Sequence, residues 1–271
     1  MMNKIALILS FLFLVSCSST LSKKEKIAEL HYATGTQNLM AQEYTEALTN
    51  LLKANELYPN NPGILTNLGM AYYFKGEKDT AVKILNRSIE IDKKNSDSRI
   101  NLASIYFREG DIDKSERLYK EVLKDLTYDK QARTFYNLGI IEIEKSNSVA
   151  AENYFRKAIT EDQNYCPASF QLGVIKYNRK DFRKALQLFK DATFGTCYNS
   201  PSAHYYQGLA LIGLGNITDA RIKLDEVNHR FKKTEYASRA RQKLSELTKM
   251  EQDYPKQGMH ASGDSLNSPE F

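Results

Sequence analysis

At 271 residues with 42% hydrophobic content, the chain is long enough to bury a sizeable core. Its formal charge of +5, from 38 Lys and Arg against 33 Asp and Glu, is too small an excess to call for a nucleic-acid partner. His31, His204, His229 and His260 fall in no metal-ligand spacing with the three cysteines, so neither a metal nor a cofactor is expected.

Residues 1–16 read as a targeting segment, with Lys4 as its charged start and Ile5 to Val15 as a mostly apolar run. That run is shorter than the about 20 residues a membrane-spanning helix takes. It ends Leu14-Val15-Ser16-Cys17, which resembles the lipobox of bacterial lipoproteins. The resemblance implies a signal peptide cleaved before Cys17, a diacylglycerol on the Cys17 thiol and acyl chains such as palmitate that anchor the mature protein. Ser18 rather than Asp after the Cys implies sorting to the periplasmic face of the outer membrane. A plain secretory signal is the alternative. Residues 17–27, polar and basic with Lys23, Lys24 and Lys26, then form the lipidated tether.

From residue 28 to residue 234 the chain repeats itself. Gly35, Gly69, Ala103, Gly139, Gly173 and Gly208 follow one another at steps of 34, 34, 36, 34 and 35 residues. Ala47, Ala81, Ser115, Ala151, Ala185 and Ala220 each lie twelve residues after a member of the first series. A period near 34 with small residues at fixed places is the signature of a repeated helical hairpin. The second repeat shows why. Leu65, Leu68, Gly69 and Tyr72 recur at helical spacing, Lys75 to Asp79 breaks the pattern, and Ala81, Leu85, Ser88 and Ile89 resume it. Small residues at Gly69 and Ala81 let the two helices approach closely. Gly76, Gly110 and Gly215 supply the reversals, with Asn147 and Asp181 expected to do the same work.

These hairpins resemble tetratricopeptide repeats, in Leu68-Gly69 with Tyr72, Leu102-Ala103 with Tyr106, Leu138-Gly139 and Leu172-Gly173. Ala47 with Leu51, Ala81 with Leu85, Ala151 with Phe155 and Ala185 with Phe189 match the second helix. The resemblance implies an all-α, right-handed superhelical solenoid of six repeats, whose first helices line a concave, partner-binding face. The places that would line it hold Tyr32, Leu39 and Met40, then Met70, Tyr73 and Phe74, then Ile100 and Phe107. Later repeats supply Tyr136, Ile140 and Ile143, Phe170, Val174 and Tyr177, and Tyr205, Leu209 and Ile212. Such a surface suits the apolar side of an amphipathic segment. Packing between neighbouring first helices is the other reading of the same residues.

Cys166 would open the fifth repeat and Cys197 would lie in the loop that closes it. The two ends of an antiparallel hairpin lie side by side, so a structural disulfide is favoured over two free thiols in an oxidising compartment. Residues 235–254 carry an apolar stripe of Tyr236, Ala237, Ala240, Leu244, Leu247 and Met250 and are expected to cap the last repeat. Residues 255–271 turn to Gly, Ser, Asn, Asp and Pro and read as a disordered tail. No constellation for catalysis emerges, so an enzyme is not expected. Gly208, Gly213 and Gly215 lack the Lys of a phosphate loop, and Glu142 and Glu144 are not a facing pair.

Taken together, the lipobox, six repeats, paired cysteines and cap resemble the pilotin family of type IV pilus biogenesis (PilF, PilW and Tgl). That resemblance implies a lipoprotein that binds a secretin subunit and promotes its localisation and multimer assembly. It gives definite roles only to Cys17, Cys166 and Cys197. A tetratricopeptide lipoprotein scaffold for other envelope machinery is the alternative, either a peptidoglycan-hydrolase adaptor resembling NlpI or an outer-membrane protein assembly helper resembling BamD.

Overall fold

The computed structural model describes residues 23–258, so Cys17 and its flanks and residues 259–271 of the expected tail lie outside the described residues. Thirteen α-helices and one short 3-10 turn, with no strand, make up the described residues. Six antiparallel pairs follow one another. They are α1 (Lys23–Met40) with α2 (Tyr44–Leu57), α3 (Pro62–Phe74) with α4 (Lys78–Ile91), and α5 (Ser96–Arg108) with α6 (Ile112–Val122). Then come α7 (Gln131–Glu144) with α8 (Ser148–Glu161), α9 (Cys166–Asn178) with α10 (Phe182–Asp191), and α11 (Pro201–Gly213) with α12 (Ile217–Arg230). A final helix, α13 (Glu235–Gly258), follows.

Two boundaries differ from expectation. Residues 23–27 belong to the first helix rather than to a tether, because Ala28 and Gly35 on the same helix are buried and anchor its inner face. The last helix also runs to Gly258, past the expected end at 254.

Local chemistry explains the repeated starts. Asn61, Asn95, Asp111, Asn147, Asp181, Ser200 and Asn216 each precede a helix, and their side chains accept from a backbone N–H three residues on. The reversals inside the hairpins fall one residue earlier than expected in two cases. Ser146 and Lys180 take positive φ, 59° and 61°, while Asn147 and Asp181 serve as caps. Their short oxygens reach the exposed N–H groups of a helix start better than they serve the turn.

Small residues set the helix spacing. A Cβ on Gly139 would sit 2.5 Å from the Phe155 ring, and one on Gly173 2.6 Å from Phe189. Both rings are wholly buried, and each burial stabilises by about 1.5–3 kcal/mol. Single clusters recur from repeat to repeat instead of one central core. Ala81 and Leu85 meet Leu102 and Ile105 in one, and Ala151, Phe155 and Ala158 meet Ala168 and Leu172 in another.

The chain divides at Leu126 and Thr127 into two compact units of three hairpins each, the second also holding α13. In the first unit α3, α4 and α5 also meet through buried polar contacts. Thr66 Oγ1 lies 2.6 Å from Ser98 Oγ, and Asn95 donates to Thr66 at 3.1 Å and to Ser88 at 2.9 Å. In the second unit α13 buries Ala237, Ala240 and Leu247 over the sixth hairpin, while Met250, expected in that stripe, is 59% exposed.

Candidate functional site

The first helix of each hairpin carries the apolar positions singled out above, and packing divides them into three groups. Ile100 is fully buried and Tyr205 is 8% exposed, so neither offers a face to a partner, contrary to expectation. For Tyr205 the cause is the last helix, since its ring packs 5.7 Å from Tyr236 and 5.8 Å from Tyr206. Tyr32, Met70, Tyr73, Phe107, Tyr136, Ile140, Phe170 and Tyr177 are half-buried. Met40, Phe74 and Ile143 are exposed at the ends of their helices.

In the first unit these residues form one aromatic edge. Phe74 stacks on Tyr44 with ring centroids 4.7 Å apart and meets Tyr73 edge-on at 5.7 Å. Met40, 80% exposed, lies at the end of the helix before Tyr44. Tyr44 opens a second helix, so a search confined to first-helix positions passes over it.

In the second unit the aromatic residues are drawn inward. Tyr206 lies 5.6 Å from Phe170, 5.9 Å from Tyr177 and 5.3 Å from Phe189. Tyr206 was not among the expected positions, although its place beside Tyr205 and its size were visible. Tyr136 packs 5.8 Å from Phe155 and 5.6 Å from Tyr165, and burial pushes its phenol pKa up against a hydrogen bond with Gln171. Val174 packs against the same cluster as Phe170 and Tyr177, and Leu209 and Ile212 against the one that holds Tyr205.

Cys166 and Cys197 form a disulfide, with Cα atoms 6.3 Å apart. It ties the start of α9 to the 3-10 turn Gly195–Cys197. Arg230 holds the next residues, donating to Tyr198 O at 3.0 Å and Asn199 Oδ1 at 2.8 Å while its guanidinium lies 3.9 Å from the Tyr198 ring centre. Beneath it His204 is buried, with Nε2 2.9 Å from Tyr198 O, and burial lowers its pKa.

A charged centre joins the fourth and fifth hairpins. Glu152 receives Lys176 at 2.5 Å, Arg179 at 2.6 Å and Arg156 at 2.8 Å. Burial alone would raise the Glu152 pKa, but hydrogen bonds and charge from Lys176 and Arg156 outweigh it and hold the group at about 2.

Among the described residues no three His, Cys, Asp or Glu are placed to hold a metal, and no helix is long and apolar enough to cross a membrane. The arrangement offers non-covalent contact with an apolar segment, through large rings that lose little entropy on binding.

Family models described as tetratricopeptide repeat match residues 50–83, 100–165 and 170–230. The type IV pilus assembly protein PilF of Pseudomonas aeruginosa is 18% identical over 166 residues, 61% of this chain and 66% of that protein. Photosystem I assembly protein Ycf3 of Rippkaea orientalis is 28% identical over 138 residues, 50% of this chain and 78% of that protein. Two of the first three curated relatives are matched over no more than 66% of their own length. The solved structure of P. aeruginosa PilF superposes with a TM-score of 0.69 at 14% identity, covering 82% of this chain and all of that one. PilW, a widely conserved type IV pilus biogenesis factor, superposes at 0.64 with 17% identity, covering 78% of this chain and 96% of that one. At these identities the superpositions speak to the fold.

Proposed function

Because the chain belongs to the tetratricopeptide-repeat family, matched over more than half its length, we propose that it is a protein-binding lipoprotein that acts as a pilotin. In this reading acyl chains on Cys17 hold the repeats at the periplasmic face of the outer membrane. The first-helix face then covers an amphipathic segment of a secretin subunit until the subunits assemble, as type IV pilus biogenesis requires. Likeness to PilF and PilW supports the choice of system. The observation that carries the binding role is the aromatic edge of Tyr44, Tyr73 and Phe74 beside exposed Met40.

The test is to delete the gene and, separately, to replace Cys17, then fractionate membranes and score heat-resistant secretin multimers. Loss of multimers in the deletion and their mislocalisation in the Cys17 variant are the expected results. Unchanged multimers in the deletion would overturn the reading. Tyr73→Ser with Phe74→Ser should weaken capture of the secretin while helical content by circular dichroism stays near native.

A further inference from the structure

Away from the first-helix face, the second unit holds a cleft of about 540 Å³ beside the disulfide. Its walls come from the end of α8 and the loop after it, from α9 and α10, and from the loop that leads to Cys197. Cys166 follows Asn164 by two residues and Cys197 follows Phe194 by three, so the covalent bridge joins two of the cleft's walls.

Three observations describe what this cleft can hold. Ser169 lines it with a side-chain hydroxyl and is only 2% exposed. Second, the other polar groups are the amides of Gln163 and Asn164, the Thr160 hydroxyl and the Asp191 carboxylate, with no cation among them. That set disfavours an anion and both donates to and accepts from a neutral, hydroxyl-rich molecule. Third, Phe194 stands at the rim 74% exposed, an unusual place for a bare ring, and presents an apolar surface above the polar walls.

We propose that this cleft is a binding site for a neutral saccharide of one or two rings. The sugar's hydroxyls pair with Ser169, Asp191 and the two amides, and the C–H face of one ring packs on Phe194. The volume lies in the range of small-molecule sites. The site is independent of the first-helix face, so it stands or falls apart from the pilotin reading.

The test titrates the purified chain with N,N′-diacetylchitobiose and with maltose, following backbone amides by NMR, with a neutral Gly-Ser peptide of similar size alongside. Saturable shifts with either sugar, confined to residues 159–169 and 188–197, are expected. Phe194→Ala and Asp191→Asn should each weaken binding about tenfold. Phe194 is exposed, so its loss leaves the fold intact, and Phe74→Ala should change nothing. Absence of shifts with both sugars, binding of the peptide alone, or sugar binding indifferent to Phe194→Ala would each overturn the proposal.

Discussion

The two compact units use the same hairpin but join successive hairpins by different means. Up to residue 126 the buried polar contacts between the second and third hairpins are neutral hydroxyls and an amide beside an apolar cluster with Tyr72 and Tyr106, and the ion pair across the join, Lys78 with Glu109 at 2.8 Å, lies at the surface. In the later unit the equivalent place to Tyr72 and Tyr106 is Lys176, which reaches back to Glu152 on the preceding hairpin. A disulfide and an aromatic cluster around Tyr206 are added there. The hairpin frame is met by small residues and buried apolar side chains, which leaves the joins free to vary in chemistry. Neutral joins respond little to pH or redox state, whereas charged and covalent joins respond to both.

The strongest way to break the comparison is through the disulfide. Cys166→Ser with Cys197→Ser removes a cross-link between residues 31 apart, and should destabilise the second unit by about 3–4 kcal/mol. Hydrogen exchange should show faster opening in α9 to α11 and no change in α1 to α6.

Acid comes next. Glu152 has a folded pKa of about 2 against an ordinary value of 4.5, so the folded form binds fewer protons between these values. Stability from this group is complete above pH 4.5 and is lost as pH falls toward 2, to a total of about 3 kcal/mol. Denaturant titrations across that range should show the loss, and Glu152→Gln should flatten it.

Thr66→Val sharpens the contrast from the other side. It deprives Ser98 and Asn95 of a buried partner and should destabilise the first unit by about 1–2 kcal/mol, with no pH dependence in the same range. The smallest effect is a gain. Lys180→Gly relieves a left-handed residue that bears a side chain and should stabilise the second unit slightly, by about 0.5 kcal/mol, read as a raised unfolding midpoint.

Much of this frame can be read in the sequence, because it rests on residues that recur at fixed steps. Gly69 faces Leu85 and Gly139 faces Phe155 as the two spaced series require. The joins cannot be read that way. Lys176 and Glu152 are 24 residues apart and meet through the stacking of two hairpins, which no period within one hairpin encodes. The fate of the first-helix residues is hidden for the same reason. Periodicity places Ile100 and Tyr205 at the same repeat position as Tyr32 and Phe170, but only the neighbour decides that the first two are covered and the others half-buried. The cleft beside the disulfide has no sequence signal, since its walls are ordinary polar and apolar residues gathered from five segments.

Within each unit every helix packs against helices one or two places away in the chain. Such local contacts favour fast folding, and each hairpin can form as soon as it is available. The position of the disulfide fits that schedule. Cys166 and Cys197 flank a single hairpin, α9 with α10, so they meet once that hairpin closes. Oxidation can therefore go to completion before the sixth hairpin and the last helix have formed.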